Sequence, residues 1–97
     1  MLFAFICKDK PGHLNVRMDT RPAHLEHLNK LNAEGTLKIA GPFLDADGKP
    51  NGSLVIVDAA DIDAARALAD ADPYAKAGLF ESVDVKPYNW VFNNPAA

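Results

Sequence analysis

Thr36-Leu37-Lys38-Ile39-Ala40-Gly41 and Ser53-Leu54-Val55-Ile56-Val57 are the runs whose reading decides the fold. The first alternates and stops at Gly41-Pro42; the second is continuously apolar, the pattern of a strand in the middle of a sheet. Between them, Pro42 to Gly52 carries Asp45, Asp47-Gly48, Pro50 and Asn51-Gly52, which is turn chemistry. The two strands are therefore expected to follow one another through a long hairpin loop or two consecutive turns. A loop of that length is expected to be the mobile edge of a pocket.

Reading outward, Leu2-Phe3-Ala4-Phe5-Ile6-Cys7 forms another apolar, central strand, closed by Lys8-Asp9-Lys10-Pro11-Gly12-His13. The helix that follows is predicted to start near Thr20, with Asp19 or Thr20 as N-cap. Pro22 would then lie in the first turn, where its missing N–H is not needed, and Gly35 would end the helix. On the other side, Asp58 to Asp61 offers N-caps for a stripe of Ile62, Ala65, Leu68 and Ala69 that runs to Ala71. Pro73 to Ala77 reads as a short helix stopped by Gly78, and Phe80 to Val85 as the last strand, with Tyr88, Trp90 and Phe92 continuing its period of two. The order β-α-β-β-α-β predicts an α+β, ferredoxin-like antiparallel sheet with two helices on one face, in one domain over residues 1–97. The other face stays uncovered although its strands are apolar, so a homodimer by sheet packing is expected.

Composition narrows the function. Ten Lys and Arg against thirteen Asp and Glu give a net charge of −3 with no basic run, which argues against nucleic acid as a partner. The apolar opening lacks a positive leader, and no run approaches the ~20 residues that span a bilayer, so a cytoplasmic protein without membrane contact is expected. The single cysteine, Cys7, reads as a small packed hydrophobe. No cofactor is expected.

A few polar residues are placed rather than scattered. On a helical wheel Leu28 lies about 40° and Leu31 about 20° from His24, which puts His24 near the centre of the buried stripe, with His27 about 60° away. Continuing the second helix puts Asp72 about 20° from Ala65 and about 40° from Leu68, on the same apolar side. Asp72 also reads as N-cap of the helix that begins at Pro73, and its two oxygens can serve an imidazole and a backbone N–H separately. His24 has its own structural reading as a hydrogen-bonded core histidine. Arg21, one turn before His24, is placed to meet an anionic substrate or to stand in solvent; Ser53 reads as a pocket hydroxyl donor or a plain strand start; Tyr74 packs or stacks on an aromatic ligand. His24 and His27 share a helix face, yet no third ligand has a recognisable spacing, so no metal site is assigned.

At Arg21-Pro22-Ala23-His24, Ala40-Gly41-Pro42, Gly52-Ser53 and Asp72-Pro73-Tyr74 followed by Ala77-Gly78, the chain resembles the YciI-like (YCII-related) family of small dimeric α/β proteins. The resemblance runs to Lys86-Pro87-Tyr88. It implies a dimeric α/β-barrel and a His-Asp dyad that would fall on His24 and Asp72. It also implies an enzyme using that dyad as general acid or base for proton abstraction or elimination on a small polar or aromatic molecule. One member type is a dehydrochlorinase of chlorinated hydroxyhydroquinones, so a lyase or dehydrochlorinase-like activity is the expectation. A non-catalytic small-ligand-binding or regulatory dimer is the alternative.

Overall fold

The computed structural model describes residues 1–95. Strands β1 (Leu2–Asp9) and β3 (Pro50–Asp58) form the middle of a four-stranded antiparallel sheet, flanked by β2 (Leu37–Leu44) and β4 (Phe80–Tyr88) in the order β2-β3-β1-β4. Both apolar runs are thus central, as their two-sided hydrophobicity requires. Phe3, Phe5 and Cys7 stand opposite Val57, Val55 and Ser53, and this set meets Ala65 and Ala69 of helix α2 (Ile62–Asp70). Burying each large apolar side chain contributes about 1.5–3 kcal/mol. The alanine face lets α2 approach the sheet closely. Asp61 caps that helix, its Oδ1 accepting the Ala64 N–H at 2.8 Å.

Helix α1 (Leu14–Ala33) begins at Leu14, not near Thr20, and Pro22 lies inside it. Pro22 is exposed, about 160° around the helix from buried His24. The carbonyl of Met18 loses its helical partner on the exposed side, where it is open to solvent, so the proline does not end the helix. Arg17, His24 and Leu31, spaced by sevens, form its buried stripe. The short helix α3 (Pro73–Lys76) ends in a Schellman motif: Gly78 at φ 75° donates to the Ala75 carbonyl, and Leu79 donates to that of Tyr74. Leu79 and Tyr74 are both fully buried, which holds the end of α3 inside the protein, where the helix packs on α1 and α2.

The loop from Pro42 to Gly52 is far shorter than its turn residues suggest. Pro42 pairs with Ser53 and Phe43 with Gly52, so only residues 45–49 turn, held by Asp45 Oδ1 accepting from the Asp47 and Lys49 N–H groups at 2.9 and 3.0 Å. Pro42 is tolerated because β2 is an edge strand. The expected mobile pocket edge is therefore a paired ribbon. Gly52 is required by this pairing: a Cβ there would lie 2.5 Å from the Cys7 carbonyl oxygen. Gly52→Ala is expected to lower stability by about 1–3 kcal/mol, read as a lower urea midpoint. An unchanged midpoint would show that the ribbon gives way freely.

The period of two does not continue past Tyr88. Trp90 Nε1 donates to the Phe92 carbonyl at 2.6 Å and Asn93 has φ 60°, so the tail bends back on itself. On the helix-free face, Ala4 and Ile56 are buried, whereas Ile6, Ile39 and Phe43 are exposed.

Candidate functional site

Helix α1 packs on α3 and beside β2, α2 packs on β4 and β1, and a cavity of about 510 Å³ opens between α1 and the β2-β3 ribbon. Its walls include Arg21, His24, Leu28, Pro42, Ser53 and Tyr74. That volume lies in the ordinary range for small-molecule sites.

His24 Nδ1 lies 2.8 Å from Asp72 Oδ1, with both side chains buried. An ionised carboxylate only accepts, so Nδ1 carries the proton and the Nε2 lone pair remains. Asp72 reaches this position as the N-cap of α3. The Tyr74 N–H donates to the same Oδ1 at 2.9 Å, so one oxygen takes both bonds rather than one oxygen each. Cap and imidazole contact therefore fix the carboxylate together. Tyr74 lies flat on His24, with ring centroids 3.9 Å apart at 16°.

Arg17 is the residue the sequence reading missed. Its Nε and Nη2 donate to Asp9 Oδ2 and Oδ1 at 2.7 and 2.8 Å, and Nη2 also donates to Ser53 Oγ at 2.9 Å. Its guanidinium carbon stands 4.7 Å from the Tyr74 ring centroid. Seven residues separate Arg17 from His24, roughly 10 Å along α1, and the Tyr74 ring fills that gap. Two signals were available. Arg17 is about 20° from His24 on the wheel once the helix is started at Leu14, and Asp9 continues the inward parity of Phe3, Phe5 and Cys7. The β1-β4 register shifts between Lys8 and Asp9, a local irregularity of the kind that re-aims side chains at sites.

Burial alone would pull the Arg17 guanidinium down, but the hydrogen bond and charge of Asp9 hold it above its ordinary value, so it stays cationic. Burial, opposed by Arg17 and helped by Asp72, raises the Tyr74 phenol, which stays neutral at ordinary pH. Arg21 is exposed at the cavity wall, and His27 is half-buried outside it. Among the described residues no group of three or more His, Cys, Asp and Glu stands together as metal ligands. No helix among them is long and apolar enough to cross a membrane.

Cys7 sits beneath the site. Burial, together with the nearby Asp72 charge, pushes its thiol up to about 12 against an ordinary value of 9.0. The unfolded thiol ionises first, so this contribution to stability is intact below about pH 9 and is lost as pH rises towards 12. The urea midpoint is expected to fall between pH 8 and pH 10.5, and to fall less in Cys7→Ala. Equal slopes in the two proteins would contradict a buried neutral thiol.

The YCII-related domain family matches residues 1–89. Protein YciI of Escherichia coli O6:H1 is 43% identical over 98 residues, covering 95% of this chain and all of that protein. Protein C of the derivative of benzaldehyde biosynthesis cluster of Emericella nidulans is 40% identical over 72 residues, 67% of this chain and 74% of that one. Among solved structures, the 5-chloro-2-hydroxyhydroquinone dehydrochlorinase of Burkholderia phenoliruptrix AC1100, in complex with 2,5-dihydroxybenzoquinone, superposes with a TM-score of 0.86 at 36% identity. The match covers 97% of this chain and 99% of that one.

Proposed function

This chain belongs to the YCII-related family, and from that membership we propose that it is a small enzyme whose His24 acts as general base, oriented by Asp72, in proton abstraction and elimination on a small hydroxylated aromatic molecule. The observation that carries the reading is the 2.8 Å contact from His24 Nδ1 to Asp72, which leaves Nε2 as a base at a cavity wall. In an elimination of HCl from the ring's keto tautomer, the chlorine-bearing carbon is tetrahedral and carries a hydrogen. Nε2 takes a hydroxyl proton, the O–H pair closes a carbonyl, the adjacent C=C pair shifts to form a double bond to the chlorine-bearing carbon, and the C–Cl bond breaks with its pair on chloride. The Asp72 carboxylate stabilises the imidazolium so formed. Arg21, Ser53 and Tyr74 contribute the polar and aromatic wall against which the substrate rests.

The test is chloride release from 5-chloro-2-hydroxyhydroquinone, run beside a panel of hydroxylated aromatics followed by deuterium exchange from solvent. Turnover above the buffer rate supports the enzyme. Saturable binding with no turnover across the panel would favour a ligand-binding or regulatory role instead.

The working unit in this reading is a homodimer. Ile6, Ile39 and Phe43 are 36–41% exposed on the helix-free sheet face, and a second copy would cover them with about 800 Å² or more per subunit. Light scattering at micromolar concentration is expected to return twice the chain mass. A monomer would remove this part of the proposal.

A further inference from the structure

The cavity is larger than the single ring proposed to enter it. A cavity of about 150 Å³ takes one benzene ring, and four ring substituents at about 30 Å³ each, the share of a water molecule, bring the need to little more than half of the 510 Å³ present. The space left over has one character. The polar lining groups stop at His24: Arg17 and Arg21 precede it on α1, Ser53 bonds Arg17, and Tyr74 lies flat on the imidazole. Helix α1 starts beside Ser53, through Arg17, and leads to Leu37, which pairs with Val57, so it runs along β3 in the direction from Ser53 to Val57. Past His24 in that direction the lining is Leu25 and Leu28 of the helix with Ala40 and Val55 of the ribbon, the last two opposite one another in register. Leu25 is 38% exposed and Ala40 is exposed too, so this end keeps apolar surface open to solvent that an apolar group would cover.

We propose that the site takes hydroxylated aromatics that carry an apolar substituent, an alkyl chain or a second ring of up to about eight heavy atoms, in preference to the bare ring. The ring hydroxyls lie at His24 and the substituent lies among Leu25, Leu28, Ala40 and Val55. The inference deepens the reading above and rests on the ring occupying that cavity, but it does not require turnover. Each methylene that leaves water for this wall tightens binding by up to about fourfold. The polar end orients the ring, and the apolar end sets which rings are held. Ala40 is the residue that leaves the room, since a larger side chain at that position of β2 would occupy the substituent's place.

The experiment is equilibrium binding, by calorimetry at neutral pH, of four probes that share one ring: resorcinol and its 4-ethyl, 4-butyl and 4-hexyl derivatives. The wild-type protein is expected to tighten by about two- to fourfold for each added carbon, at least about fiftyfold over the series. Ala40→Phe should cut that gain to less than about fivefold, because the added ring fills the apolar end. Ala40 stands exposed on the edge strand β2, so the larger side chain does not disturb the core. Simple partition onto exposed apolar surface expects the opposite, since Ala40→Phe adds such surface. Leu25→Ser, which makes the same wall polar at another exposed position, should cut the gain by about tenfold. A flat series in the wild type, no binding of 4-hexylresorcinol, or the full gain kept in either folded variant overturns the proposal. The two readings separate cleanly. A gain along the series that both variants reduce, without turnover in any assay, leaves this inference standing and removes the enzyme, whereas His24-dependent turnover of bare rings with a flat series does the reverse.

Discussion

His24→Ala is expected to lower turnover by about 10²- to 10⁴-fold, the usual contribution of a general base, while the chain stays folded. The fold survives because the substitution removes a side chain that borders a cavity, and because Asp72 keeps its cap bond to the Tyr74 N–H at 2.9 Å. Asp72→Asn should be milder. Imidazole and backbone N–H both address Oδ1, so an amide oxygen in the same place accepts both bonds and preserves the tautomer. What is lost is the charge that stabilises the imidazolium, and kcat should fall by about tenfold or more with KM little changed. Asp72→Ala removes cap and orienter together and should cost about 0.5–2 kcal/mol in stability besides. The measurement is kcat and KM on whichever panel compound turns over, beside urea melts of the same variants. Full activity in His24→Ala would end the general-base reading.

The largest effect on stability is expected from Asp9→Ala. Asp9 and Arg17 are 9% and 4% exposed, and their paired contacts of 2.7 and 2.8 Å satisfy one another. Removing the carboxylate leaves a buried cation whose remaining partners are the Ser53 oxygen and the face of the Tyr74 ring. Breaking a buried pair from one side costs about 3–5 kcal/mol, which for a chain of this size lowers Tm by well over 10 °C. Asp9→Asn, which retains one acceptor oxygen, should fall between that variant and the wild type. A melting temperature for Asp9→Ala within a few degrees of the wild type would mean that the guanidinium escapes to water.

Local pattern alone determined the element order, both central strands, the caps at Asp61 and Asp72, the stop at Gly78 and the place of His24 within its stripe. Each of these follows from a rule of short range: a period of two or 3.6, a side chain that reaches the N–H two or three residues on, a glycine where φ is positive. Tertiary structure decided the rest. Pro22 lies within a helix because that face is wet, a fact about the other side of the molecule that the residues around Pro22 do not carry. Pro42 to Leu44 and Pro50 to Gly52 are strand because each has the other as a partner, although their composition is that of turns. Arg17 is buried because Asp9, eight residues back, and Ser53, thirty-six residues on, both arrive beside it. The cost of burying a charge is offset only by partners already in place, so whether an arginine faces solvent or the cavity is settled when the sheet and α1 meet.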